Sequence, residues 1–172
     1  MALQAAYHAI RSARLDMQKI IERKKEQENL YKVLEAEEAS FLAVYGRRRI
    51  GKTYLIKNFF SDKGVFFHLT GIQDAPLEIQ LHNFSIEFSD IFLKGEEVKP
   101  SKNWFDAFQL LRKEIEKIPK EVKTIIFFDE LHWLATPKSL FIQALDHLWN
   151  RYLSNAPNVI FSSLWISCLL DD

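Results

Sequence analysis

Short, mostly apolar runs alternate along this chain with longer segments in which apolar residues recur every three or four positions. The runs cover residues 41–45, 65–69 and 123–128, and a fourth begins at residues 158–161. Apolar runs of this length, bounded by turn residues, are typical of strands that are buried on both faces of a parallel sheet. The pattern therefore predicts four strands.

The segments between these runs predict helices, because their apolar residues fall on one face at helical spacing. We expect helices at residues 53–60, 77–92 and 104–117, and another that begins at Thr136 and Pro137. The residues expected to face the core are Leu55, Ile56, Phe59, Phe105, Phe108, Leu111, Ile115, Leu140, Leu145, Leu148 and Tyr152.

Strands that alternate with helices indicate an α/β fold with a mostly parallel sheet. We place this core at residues 38–172, because residues 1–37 are rich in good helix formers and predict an N-terminal helical extension. A chain of 172 residues that is 48% hydrophobic is sufficient for one domain with a substantial core.

Charge and cysteine content narrow the classes of partner. Basic and acidic residues number 23 each, so the chain has no overall attraction to nucleic acid or to an anionic membrane. The single cysteine, Cys168, excludes a disulfide framework and a cysteine-ligated zinc site. No apolar run approaches the ~20 residues that a membrane-spanning helix needs. We therefore expect a cytoplasmic protein with no membrane partner, and nucleic acid is not indicated.

One segment, residues 46–53, matches the phosphate-loop pattern G-x-x-x-x-G-K-[ST]. Gly46 and Gly51 allow the tight turn and close backbone approach, so that N–H groups of the loop bind the β-phosphate. Lys52 is expected to reach the β- and γ-phosphates, and Thr53 offers a hydroxyl to Mg²⁺. About one random chain in a hundred of this length would match by chance. The match also lies between a predicted strand and a predicted helix, as phosphate binding requires.

The other residues of this segment are candidate nucleotide contacts, namely Arg47, Arg48, Arg49, Ile50 and Tyr54. The three arginines could strengthen the positive field at the phosphates or reach a neighbouring subunit. The alternative is that they are solvated loop charges.

An acidic pair, Asp129 and Glu130, ends the third predicted strand. Ligands of open α/β sheets bind beyond the carboxyl ends of the strands, so Asp129 is expected beside the phosphate loop as the Mg²⁺ partner of Thr53. Glu130 is expected to orient and deprotonate the attacking water. The alternative is that Asp129 only caps the next helix. Two histidines have two interpretations each. His68 could face the site, but we expect a strand-end residue without function, and His132 could sense phosphate or a partner, but we expect a loop or cap residue.

At these residues the chain resembles the archaeal-type ATPases, a group within the STAND and AAA+-like P-loop NTPases. The resemblance is carried by residues 41–60 and 124–135, and by a box at 21–30 similar to R-x-x-E-x-x-x-L. It implies ATP and Mg²⁺ as cofactors, and a P-loop NTPase three-layer sandwich. The phosphate-loop strand would lie in the middle of the sheet, flanked by the metal-site strand and the fourth strand. The resemblance also implies adenine contact by Ile20 or Ile21, although Glu22 stands where a glycine is common.

The end of the chain departs from this resemblance. The family implies a fifth strand, a helical lid and usually a further C-terminal domain, which do not fit after residue 160, so the core is expected to be incomplete there. Family members continue with a segment resembling C-G-S-x-x-S-W-M. Residues 164–172 can be encoded by codons that would give such a segment if they were read one base out of frame. We therefore hypothesise a frameshift near codons 160–163. The alternative is a natural strand end in which Ser162 or Ser163 senses the γ-phosphate.

Three functions follow from these observations. The first is an ATP-binding, ATP-hydrolysing switch, in which Lys52 and Glu130 act in catalysis. The second is a nucleotide-binding remnant that does not turn over. The third is an interaction module that binds a protein partner, or a second copy of the chain, through its N-terminal helix or an exposed sheet edge.

Overall fold

The computed structural model describes residues 23–46 and 51–166. Its centre is a four-stranded parallel sheet in the spatial order β1-β4-β3-β2. The strands are β1 (Ser40–Gly46), β2 (Val65–Thr70), β3 (Thr124–Asp129) and β4 (Val159–Ile166). Each corresponds to one of the four apolar runs, so the prediction of four strands is confirmed.

Helices follow or connect these strands. They are α1 (Lys24–Glu35), α2 (Lys52–Phe60), α3 (Leu77–Phe92), α4 (Trp104–Ile115), α5 (Leu131–Leu134) and α6 (Phe141–Leu148), which continues as one wider turn at Trp149–Leu153. The single turn of α5 has too few residues to show a helical period and was not predicted. Within the predicted extension at 1–37, residues 24–35 are helical and residues 1–22 lie outside the described part of the chain.

Strand β3 separates the two halves of the core, because its successive side chains point to opposite faces of the sheet. Ile125 and Phe127 pack with Leu30 of α1 and the buried residues of α2. Ile126 and Phe128 pack on the other face against α3, α4 and α6. Every residue of β3 is buried. The predicted three-layer α/β sandwich is therefore confirmed.

The strand order corrects one expectation. The phosphate-loop strand β1 is not flanked by the metal-site strand, because β4 pairs with both β1 and β3 and lies between them. Among the described strands β1 is an edge strand. Phe41 and Tyr45 on this strand are 48% and 68% exposed.

Two residues predicted to face the core are exposed instead. Phe105 is 38% exposed, because the preceding residue, Trp104, fills the buried position at the start of α4. Leu140 is 50% exposed and precedes α6 in a left-handed conformation, with φ 55°. The helix predicted from Thr136 therefore begins only at Phe141.

The parallel register brings the two predicted site segments to the same edge of the sheet. Phe128 of β3 and Ala43 of β1 both lie opposite Ser163 of β4. Asp129 follows one residue after Phe128, and Gly46 follows three residues after Ala43. The end of the metal-site strand and the start of the phosphate loop are therefore neighbours across β4.

The central strand is expected to dominate stability. Replacement Ile126→Ala removes a fully buried side chain from the larger half of the core and should lower the free energy of unfolding by about 2–5 kcal/mol. The matched control is Ile86→Ala on α3, where the side chain is 47% exposed and the change should stay within about 0.5 kcal/mol. Urea unfolding measures both. Equal losses in the two variants would contradict this description of the core.

Candidate functional site

The site begins with Asp129, the last residue of β3. Its backbone carbonyl accepts a hydrogen bond from the N–H of Gly71, which fixes the end of β3 against the end of β2. The residue is only 4% exposed. A carboxylate in such a place is costly unless neighbouring groups stabilise its charge.

The start of helix α2 supplies the facing side of the site. Gly51 precedes the helix with φ 74°, a left-handed conformation that glycine adopts without a Cβ clash. Lys52, the first residue of α2, is 8% exposed. Thr53 follows, and its side chain lies close enough to the Asp129 carboxylate to help lower the pKa of that carboxyl. The structure thus brings together the two residues that the sequence predicted as partners.

The charge on Asp129 follows from its neighbours. Burial alone raises the pKa of Asp129, but His68, the Thr53 hydroxyl and the Glu130 N–H together outweigh burial and hold the pKa below its ordinary value. His68 Nε2 lies 3.9 Å from Asp129 Oδ2, too far for a good hydrogen bond, so it acts mainly through charge when protonated. The Asp129 carboxyl is therefore ionised at neutral pH.

Glu130 directly follows Asp129 in a left-handed conformation, with φ 52° and ψ 44°. Its N–H donates to Asp129 Oδ1 at 2.9 Å, so the two acidic residues are locked together by a short local hydrogen bond. Its own carboxylate lies near His132, with 3.6 Å between Glu130 Oε2 and His132 Nε2. Glu130 Oε2 and both ring nitrogens of His132 are buried and lack hydrogen-bond partners within residues 23–46 and 51–166. A non-glycine residue held in this conformation with an unsatisfied carboxylate oxygen is typical of a functional site.

Some predicted contacts remain untested. Gly46 ends β1, and Tyr54 on α2 is 45% exposed. The three arginines and Ile50 lie outside the described residues, as do Ile20 and Ile21. Both serines considered as γ-phosphate sensors are buried in β4, and in the described part of the chain neither hydroxyl has a hydrogen-bond partner. Their role stays a prediction.

Two residues near the site were given no functional role from the sequence. His68, expected to be a strand-end residue without function, faces the site beside Asp129 and stacks on Phe127 at 4.9 Å between ring centroids. Arg23 belongs to the box that resembles the family, but no role followed from it. Its Nη2 atom lies 3.7 Å from the position that a Cβ on Gly51 would occupy. The only available signals were the position of His68 near a strand end and that of Arg23 in the box.

Thr53 and Asp129 offer a suitable donor set for Mg²⁺. This ion prefers oxygen ligands and commonly takes one or two from the protein, with the rest from phosphates and water. A hydroxyl beside an ionised carboxylate meets that need. No group of three or more His, Cys, Asp or Glu residues forms a metal cage within the described ranges. Thr53 and Asp129 therefore fit a metal ion that takes further ligands from a bound nucleotide.

The fold and the phosphate-loop motif define a P-loop nucleotide-binding protein. Residues 20–163 match the family described as "ATPase domain predominantly from Archaea". The chain belongs to this ATPase family, which confirms the resemblance inferred from residues 41–60 and 124–135.

Solved structures agree with the fold. The chain is similar to a chain in "Structure of Drosophila ORC bound to DNA", with 17% identity and a TM-score of 0.51, over 96% of this chain and 81% of that one. It is also similar to a chain in "Structure of Drosophila ORC bound to AT-rich DNA and Cdc6", with 15% identity and a TM-score of 0.53. That match covers 96% of this chain but half of the Drosophila chain. The comparison with curated proteins finds no match.

One membrane-related finding is limited to the described ranges. Among the helices placed there, none has both the length and the apolar character needed to cross a bilayer.

The lowered pKa of Asp129 predicts a specific pH dependence. In the unfolded chain the Asp129 carboxyl has an ordinary pKa of ~3.9. In the folded chain its pKa is lower, so the carboxylate stays ionised to lower pH. The stabilisation from Asp129 is therefore present above about pH 3.9 and is lost as the pH falls through the lower folded-state pKa. Asp129→Asn should remove this component, so urea unfolding between about pH 6 and about pH 3 should show a shallower loss of stability than in wild type.

A suitable control is Asp62→Asn, because the Asp62 side chain is 61% exposed and forms an ion pair with its neighbour Lys63 in the described part of the chain. Its acid dependence should follow that of the wild type more closely than Asp129→Asn does. Identical pH dependence in wild type and Asp129→Asn would contradict the argument.

Proposed function

We propose that this protein binds ATP with Mg²⁺ and hydrolyses it, acting as a nucleotide-driven switch. The proposal rests on one observation. The Thr53 side chain at the start of α2 lies close to the ionised carboxylate of Asp129. Family membership supports nucleotide binding and ATPase chemistry in general terms. The division of roles among individual residues rests on the geometry of the site.

Phosphate binding is assigned to the start of α2. The first turn of a helix leaves backbone N–H groups without intrahelical acceptors, and its dipole favours an anion. The first turn of α2 contains no acidic residue that would compete for this position. Lys52 adds a full positive charge in a nearly buried location, where its attraction to phosphate is stronger than in water.

Thr53 and Asp129 would hold Mg²⁺ beside the bound nucleotide. The ion, when bound, neutralises charge that develops on the phosphate oxygens. Asp129 suits this role because its lowered pKa keeps it ionised without a metal.

Glu130 is assigned as the base for water. Its backbone is tied to Asp129, so its carboxylate is carried at a fixed offset from the metal-holding residue. The Glu130 side chain is 31% exposed, so its carboxylate can accept a hydrogen bond from a water molecule, although its Oε2 atom is itself buried. The water's proton would pass to this carboxylate as the water oxygen bonds to the γ-phosphorus. The bond from that phosphorus to the β–γ bridging oxygen would break, and ADP would leave with the electron pair.

Two variants separate binding from hydrolysis. Glu130→Gln keeps the shape of the side chain but removes its basicity, so turnover of MgATP should fall by about 10²–10⁴-fold with nucleotide affinity nearly unchanged. Lys52→Ala should instead weaken MgATP binding, because it removes the phosphate-binding charge. Phosphate release measures turnover, and equilibrium titration with a fluorescent ATP analogue measures binding.

The outcomes distinguish the three functions inferred from the sequence. Wild-type turnover that is lost in Glu130→Gln supports the ATPase. Binding that Lys52→Ala abolishes, in a wild type without turnover, indicates a nucleotide-binding remnant. Absence of nucleotide binding in the folded wild type rejects the proposal and favours an interaction module.

A third variant tests the metal assignment. Thr53→Val keeps the branched shape of the side chain but removes the hydroxyl that pairs with Asp129. Nucleotide affinity should then no longer increase when Mg²⁺ is added, whereas affinity without Mg²⁺ should change little. Thr136→Val, at an exposed position outside the site, is the control and should keep the wild-type response to Mg²⁺. A normal Mg²⁺ response in Thr53→Val would reject Thr53 as a metal ligand.

A further inference from the structure

A buried glutamine connects two loops at the edge of the site. Gln80 lies in the first turn of α3 and is 2% exposed. Its Oε1 accepts from the N–H of Ile72 at 3.1 Å, and its Nε2 donates to the carbonyl of Ile72 at 2.7 Å. The same Nε2 also donates to the carbonyl of Trp133 at 3.3 Å. One side chain thus joins the loop that follows β2 to the turn that follows β3.

The turn joined by Gln80 is the one that contains Glu130. The N–H of Trp133 donates to the Glu130 carbonyl at 2.9 Å, which closes the turn at residues 130–133. The Glu130 carbonyl and the Trp133 carbonyl therefore lie at the two ends of this turn, and Gln80 holds one of those ends.

Close packing beneath the turn supports the same connection. A Cβ on Gly71 would lie 2.6 Å from the Glu130 carbonyl oxygen and 2.9 Å from Trp133 Cβ. Only glycine allows the loop after β2 to approach the turn this closely. Gly71 therefore packs against the same turn to which Gln80 is hydrogen-bonded.

The need for such support follows from the conformation of Glu130. Its positive φ is unfavourable for a residue with a side chain, and such conformations persist only where surrounding contacts enforce them. The local hydrogen bond to Asp129 holds the start of the turn, and Gln80 holds its far end.

We propose that Gln80 is a positioning residue, which sets the place of the Glu130 carboxylate by holding the turn at residues 130–133 against the loop after β2. The proposal rests on the proposed function, because it assigns Gln80 an effect on the base for water. Gln80 itself does not touch the nucleotide in this assignment. It acts only through the backbone of the turn.

The variant that tests the proposal is Gln80→Met, which keeps side-chain length and helix propensity but removes all three hydrogen bonds. Hydrogen–deuterium exchange, measured by mass spectrometry without nucleotide, should become faster in peptides that contain residues 130–133. Exchange in the buried strand Thr124–Asp129 should stay at the wild-type level. The matched control is Gln143→Met, an exposed glutamine on α6, which should change neither. Unchanged exchange at residues 130–133 in Gln80→Met would overturn the proposal.

Kinetics test the effect on the base. In Gln80→Met, kcat should fall about 10- to 100-fold with KM nearly unchanged, because a misplacement of about 1 Å can cost about 10²-fold. In a Glu130→Gln background the same replacement should cause no further decrease in kcat, whereas a general loss of stability would lower both backgrounds alike.

The two measurements keep the outcomes separate. Faster exchange at residues 130–133 with unchanged kcat would overturn the positioning role. A decrease in kcat that persists in the Glu130→Gln background would also overturn it. If the wild type shows no turnover, the proposed ATPase function fails, and the exchange measurement still decides whether Gln80 holds the turn.

Discussion

The contact between Thr53 and the ionised carboxylate of Asp129 is the interaction on which the rest of the site depends. Strand β3 is buried along its whole length, and its last residue, Asp129, lies close enough to Thr53 of α2 for the two side chains to interact. The buried strand cannot shift without disturbing both halves of the core, so the position of its last residue is well defined. A carboxylate at that place would be unfavourable alone, and its partners keep it charged.

A histidine on β2 links the charge of Asp129 to that of a residue outside the phosphate loop. His68 affects acidic residues on two different elements. It helps to lower the pKa of Asp129 on β3, and it opposes the rise in the pKa of Glu87 on α3. Burial is the largest influence on Glu87 and raises its pKa. Charge on β2 is therefore coupled to β3 and to α3. Helix α3 and the loop after β2 also carry the residues that hold the turn of Glu130.

Much of this structure could be predicted from local patterns, for identifiable physical reasons. Strand β3 is a run of apolar residues before an acid, and the phosphate loop places its glycines and Lys52 at fixed spacing, so both are visible in the sequence. The strand order was predicted wrongly, because apolar runs show that strands exist but not which of them pair. Phe105 was assigned to the core although Trp104 fills that position, since two adjacent aromatic residues fit the helical period about equally well. The roles of Gln80 and His68 depend on contacts across 53 and 61 residues of sequence, which no local pattern records.

The most direct test of the central claim is a crystal structure of the protein with Mg²⁺ and a non-hydrolysable ATP analogue. The phosphates should lie at the start of α2 in contact with Lys52, and the metal should lie between Thr53 and Asp129 with the Glu130 carboxylate facing the γ-phosphate. A nucleotide bound elsewhere, or a metal that contacts neither Thr53 nor Asp129, would contradict the site described here.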